Sequence, residues 1–319
     1  MCDNLPMKRY AIFGLVILAG LGPVLFFIWR FGGLAADVVS ATRAMSPFEQ
    51  SAQAIAGLGI KPLYSLFSLG LIVLLAGQQA RDFSALRWGL IAFIGGETFC
   101  AINFWIFRHE SPVSEYLHSY GMVLAIGLTA FALLDGLDMR LLKINRPGSR
   151  CLAAGSLCSL CKRATPGECA ARRCAQVILL MSAVLAFIPL MAPLAPQAYL
   201  TSIFGFPYSY TRFEFYEWYE IRALPLIALA CFGLAWLPFL RRDAAPIPDA
   251  SKALFCAGLG ALGFSFFRLV LASIFSQNLV WFEFWEETTE LMYVLASLFF
   301  VWQFRHVLEK TAVVKWIDG

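Results

Sequence analysis

Eight apolar runs recur along the chain, at residues 10–29, 58–77, 86–107, 116–137, 175–195, 223–240, 253–275 and 285–304. Each is about 20 residues long, the length at which a helix crosses roughly 30 Å of hydrocarbon. With 60% of residues hydrophobic and only 14% charged, the chain carries more apolar surface than a single aqueous core can hide. Lipid is the solvent that shelters the rest. The expected fold class is all-α: a polytopic integral membrane protein, one transmembrane domain over 1–319, built as a bundle of about eight helices.

The run at 10–29 follows Lys8 and Arg9 and ends in Phe26-Phe27-Ile28-Trp29-Arg30. A signal peptide has a shorter apolar core, of roughly 7–15 residues, so this run reads as an uncleaved first span. Placing Lys8 and Arg9 inside and alternating sides at each span puts Arg81 and Arg87, Arg140 to Arg173, Arg241, Arg242 and Lys252, and Arg305, Lys310 and Lys315 on the same inner side. That is the positive-inside pattern, with the lipid bilayer as solvent and both termini in the cytoplasm. A bacterial inner membrane is the expected setting. The basic residues sit between spans and form no stripe interleaved with aromatics, which argues against nucleic acid as a partner.

Two outer segments are long. In the first, Ser46-Pro47-Phe48-Glu49-Gln50 marks the start of a short helix lying along the membrane surface. The second, 196–222, is rich in Tyr, Phe, Trp and Glu. Those rings favour the headgroup level, so the expectation there is an interfacial helix or re-entrant segment.

The inner loop 138–174 holds five of the nine cysteines: Cys151, Cys158, Cys161, Cys169 and Cys174. A reducing compartment disfavours disulfides, and soft thiolates crowded on one loop suit zinc or an iron–sulfur cluster. Cys158-x-x-Cys161 supplies a chelating knuckle, Cys169 and Cys174 close the shell, and Cys151 is a spare ligand. Lys162, Arg163, Arg172 and Arg173 would offset thiolate charge. Redox or lipid-modified thiols, and cysteines that bind nothing, are the alternatives.

In the final helix, at and just before the start of the last run, Glu283, Glu286, Glu287 and Glu290 share one helix face. Such a face is either solvated at the interface or turned toward a partner or pathway, because charge facing lipid is costly. Glu97 beside Gly95 and Gly96, and Arg268 deep in its span, raise the same question. We expect Glu97, Arg268, Glu286, Glu287 and Glu290 to line one outward-opening polar cavity. Arg268 is expected to pair with a carboxylate of the last helix. Glu115 and His118 share a helix face at a spacing used by metal-carboxylate bundles, and are candidates for the same cavity or for a satisfied interfacial pair.

The chain has three histidines, whereas two haems with paired histidine ligands need four. Neither a nucleophile elbow, a phosphate-binding loop, a dinucleotide fingerprint nor a zinc-protease helix occurs. Three function classes remain. One is a membrane component of a redox or metal-handling system, with a cytoplasmic thiolate site and an outer acidic, aromatic cavity that accepts a quinone, a cation or protons. Another is a proton- or ion-coupled transporter or channel, and the third an assembly subunit held to membrane-protein partners by its polar residues. Serine at both Cys158 and Cys161 should abolish stoichiometric metal in anaerobically purified protein, while Cys100→Ser and Cys231→Ser variants stay loaded. Unchanged metal content in the double variant would reject the thiolate site.

Overall fold

The computed structural model describes residues 39–42, 45–107, 111–145, 169–192, 197–203, 206–212, 218–240, 246–275 and 279–308. The expected first span at 10–29, the cysteines 151, 158 and 161, and the C-terminal residues 309–319 lie outside the described residues. Six helices are long and apolar enough to cross a membrane: α1 (Pro47–Leu74), α2 (Arg81–Trp105), α3 (Pro112–Leu142), α4 (Ala170–Met191), α5 (Tyr219–Leu240) and α6 (Asp249–Ile274). The seventh, α7 (Leu279–Gln303), is as long as α2. Its four glutamates set it apart from the apolar six.

Local chemistry explains the helix ends. Ser46 caps α1 and accepts from the Glu49 backbone N–H, while the Ser46 N–H donates to the Glu49 carboxylate at 2.9 Å. This start is not a separate surface helix, as the sequence pattern implies, but the first turn of a span. Pro62 has no N–H to give the helical ladder, and the ladder re-registers just before it: Ile55–Ile60 is a π-helix, closed by the Lys61 N–H on the Ala56 carbonyl. Pro225 repeats the device, with a π-helix at Tyr219–Ala223 closed by the Leu224 N–H on Tyr219.

α2 packs along α3, α3 along α6, and α6 along α5, while α7 lies against α1. Glycine permits the closest approaches. A β-carbon on Gly121 of α3 would sit 2.6 Å from the Gly96 α-carbon of α2, and one on Gly260 of α6 would strike the Val123 carbonyl of α3. Outward, α4 exposes Val177, Ile178, Leu180, Met181, Val184 and Leu185 in one sweep, a surface that only lipid or another apolar partner covers without loss.

The spanning part is helical, but residues 197–203 and 206–212, where a helix or re-entrant segment is expected, form strands. Strand β2 (Gln197–Ile203) pairs antiparallel with β3 (Phe206–Arg212), Ile203 opposite Phe206, and β1 (Val39–Thr42) adds parallel to β2 with Val39 opposite Gln197. Alternation of aromatic or β-branched residues with Ser, Thr and Ala, and a link of two residues that includes Gly205, are hairpin signals. They outrank the interfacial preference of the rings. Pro207 is tolerated because β3 is an edge strand.

At the end of the bundle where α6 begins, Lys252 is buried and donates to Asp135 at 2.7 Å and Asp138 at 2.8 Å, with Asp249 at 3.3 Å. Arg140 grips Asp82 with two bonds, of 2.5 and 2.8 Å, and Arg81 reaches Asp249 at 2.9 Å. These charges tie the start of α2, the end of α3 and the start of α6 together. Gly121→Val should lower stability by about 1–3 kcal/mol or more through overpacking of α2 on α3, whereas Gly57→Ala, with open space around it, should not. Thermal unfolding in detergent measures both. Equal melting temperatures would show that the α2–α3 seam is not close-packed.

Candidate functional site

One half of the bundle collects charge from four helices. Lys61, the residue that directly follows the π segment of α1, places its ammonium 2.7 Å from Glu97 Oε2 on α2 and 2.9 Å from Glu287 Oε1 on α7. The Tyr64 hydroxyl, one turn further along α1, lies 2.6 Å from Glu97 Oε2 and 2.7 Å from Glu287 Oε2. Tyr64 is fully buried and its ring packs edge-on to Phe93. Two carboxylates therefore share one ammonium and one hydroxyl inside the bundle.

The contact of Gly96 with Gly121 brings α2 and α3 close enough for the His118 ring to reach the α2 backbone. Its Nδ1 lies 3.1 Å from the Gly96 carbonyl and 3.6 Å from Glu97 Oε1. A carbonyl only accepts, so Nδ1 is the donor in this contact. Glu290, one turn beyond Glu287 and its α7 neighbours, closes the group: a carboxylate oxygen from Glu97, another from Glu290 and a ring nitrogen of His118 all lie within 4.8 Å of one another. All three residues are buried. Glu97 Oε1 and Glu290 Oε2 have no hydrogen-bond partner.

A cavity of about 150 Å³ adjoins Glu290. Phe93, Met122, Phe264, Phe267 and Tyr293 form most of its wall. The Tyr293 hydroxyl pairs with Thr129 at 2.8 Å.

Arg268 belongs to a neighbouring group. Its Nε donates to Glu220 Oε2 at 2.6 Å, its Nη1 to Glu286, and its guanidinium lies over the Phe282 ring. Ser119 donates to the other Glu220 oxygen at 3.0 Å. Glu283 accepts from Gln53 on α1. The four glutamates of α7 thus serve different partners: Glu283 and Glu286 face neighbours toward its start, Glu287 meets Lys61 and Tyr64, and Glu290 points inward. Glu115 stands apart from the cluster, accepting from Asn103 at 2.5 Å while Asn103 receives the Ser111 N–H at the head of α3.

Sequence reasoning passed over Lys61, Tyr64 and Glu220. A lysine within an apolar run, with a tyrosine three residues on, was the available signal for the first two. Cys169 precedes the first turn of α4 and Cys174 is exposed on it, both free thiols. Arg172, expected to surround thiolates, is buried and donates to the Phe239 carbonyl at 2.5 Å, over the Phe239 ring. It serves the α4–α5 contact.

Compared with known proteins, the chain matches no family model, no curated protein and no solved structure. Its chemistry must therefore be read from the site itself.

Replacing Arg268 with alanine strands the buried carboxylate of Glu220 and the mostly buried one of Glu286. The expected loss of stability is about 3–5 kcal/mol, read as a lower melting temperature in detergent. Glu220→Gln combined with Arg268→Met should recover much of it. No recovery in the pair variant would mean that the arginine acts through packing alone.

Proposed function

We propose that this chain is a multi-pass membrane protein of a cation-handling system, one that draws a cation from the outer side into the acidic cluster between α1, α2, α3 and α7. One observation carries the reading. Glu97, Glu287 and Glu290 are three carboxylates beside a single ammonium, Lys61. Burying uncompensated carboxylate charge is expensive, so the cluster has standing affinity for positive charge, as protons or as a metal ion. An electron-transfer role for a quinone would not call for that excess. This favours the metal-handling branch of the functions open to the sequence.

The setting we propose is the bacterial inner membrane, with about eight spans counting 10–29 as the first and α7 as the last. Both termini and the 138–174 loop then face the cytoplasm, supported by the loop charges. The outer acidic and aromatic segments sit where an entering cation meets them first. The thiolates of Cys158, Cys161, Cys169 and Cys174, with Cys151 in reserve, remain a second, cytoplasmic centre for zinc or an iron–sulfur cluster.

Proteoliposomes of the purified protein should pass protons, Mn²⁺ or Zn²⁺ under an imposed gradient. Glu97→Gln should lower that flux at least about tenfold, the size of effect expected when roughly 1.4 kcal/mol of binding is lost. Glu115→Gln should leave it unchanged. Absence of flux for all three ions would end the cation-handling reading. Thiol labelling adds the sidedness: Cys158 and a cysteine engineered at Ser209 should react from opposite faces, and reaction from one face would reject the topology.

A further inference from the structure

We propose that Glu97, His118 and Glu290 form a binding site for one first-row divalent metal ion, of the Mn²⁺, Fe²⁺ or Zn²⁺ class. The inference deepens the cation-handling reading by naming the cation, and it is decided by equilibrium binding and not by transport.

Four observations converge on these residues. The first is geometry. Ligand atoms about 2.1 Å from a shared ion lie at most about 4.2 Å from one another. The three present here are already within 4.8 Å, so a small rotation of the glutamate side chains closes the shell.

The second is the unmet bonding capacity. Glu97 Oε1 and Glu290 Oε2 are buried in residues only 5% and 3% exposed, and neither has a hydrogen-bond partner. Leaving a buried acceptor unpaired costs about 1–3 kcal/mol, and more when it is charged. Two such atoms, on the carboxylates that gather with His118, are a donor set for an acceptor of electron pairs.

The third is that each ligand is already held by its neighbours. Lys61 and Tyr64 both engage Glu97 Oε2, which leaves Oε1 as the single coordinating oxygen. The Gly96 carbonyl lies 3.1 Å from His118 Nδ1 and takes its proton, so the neutral ring would offer Nε2 to an ion. Protein metal sites orient imidazole ligands through such a bond from the distal ring nitrogen. Gly121 is required for it, because any β-carbon there would push α3 off Gly96.

The fourth is charge. Three carboxylates and one ammonium leave two negative charges within the cluster, and a divalent ion brings the sum to zero while His118 ligates as the neutral ring. An imidazole with two carboxylates suits first-row divalent metals, whereas calcium and magnesium prefer oxygen alone and Cu(I) prefers sulfur. Three protein ligands leave positions open on the ion. The cavity beside Glu290 leaves space next to that ligand.

The test uses full-length protein in detergent, stripped with EDTA, in a Cys158→Ser/Cys161→Ser background so that thiolates do not compete. Titration with MnCl₂, followed by calorimetry and electron paramagnetic resonance, should give one bound Mn²⁺ per chain, with nitrogen hyperfine coupling from one imidazole and a raised melting temperature. Glu290→Gln and His118→Gln should each weaken binding by about 100-fold or more, at least the upper range seen when a supporting residue of a metal site is lost. Tyr64→Phe should weaken it by about tenfold or less.

Failure of the EDTA-stripped protein to bind Mn²⁺ or Zn²⁺ would overturn the site and show that protons alone satisfy the carboxylates. Binding that keeps its affinity in a folded Glu290→Gln variant, or Mn²⁺ without nitrogen coupling, would overturn it as well. Binding without flux would defeat the cation-handling function and leave the site standing. Flux without binding would do the reverse.

Discussion

The Lys61 ammonium, set between Glu97 and Glu287, joins α1, α2 and α7 through one charge. In a low-dielectric interior its removal would strand two carboxylates, so these helices are bound by the cost of separating them as much as by the gain of packing. The position of Lys61 depends in turn on the π segment. Without the register shift before Pro62, the side chains following it would project from a different angle of α1. A backbone irregularity forced by a missing N–H thus sets the aim of the ammonium and of Tyr64.

Glycine plays the complementary part on the other side of the cluster. Gly96 and Gly121 let the backbones of α2 and α3 touch, and that contact allows an imidazole on α3 to bond a carbonyl on α2. Small residues at helix crossings are the usual means of close packing in lipid, where no hydrophobic effect drives helices together. Here the crossing also builds a polar site. The same two residues that tighten the seam bring Glu97 beside His118.

The two ends of the bundle treat charge differently. At the end where α6 begins, each buried aspartate meets a cation: Asp82 has Arg140, and Asp135 and Asp138 share Lys252, with Asn145 adding donors to Asp138. Such a network holds helices in place and asks for nothing further. At the other end carboxylates outnumber cations in the cluster around Lys61, and two oxygens lack partners. The contrast separates a structural staple from a site, although both are built from the same residue types in spans of similar hydropathy.

Hydropathy by itself determined the spans. Runs of about 20 apolar residues leave no other stable state in water or lipid, and six of them overlap the six helices long and apolar enough to cross a membrane, with α1 beginning eleven residues before its run, while a seventh overlaps α7. Inward-facing glutamates on α7 were legible as well, because a carboxylate row cannot face lipid. Only the tertiary structure decided which partner each residue took: that Glu290 joins Glu97 and His118, that Glu286 joins Arg268 and Glu220, and that Lys252, counted in the sequence as a loop cation, is buried among aspartates. It also decided that 197–212 pairs as strands, since pairing depends on a partner segment and not on composition. Burial of apolar surface is a property of a run of residues and can be read along the chain. A polar contact joins residues far apart in sequence, at distances of about 3 Å, and is fixed only when helices cross at particular glycines.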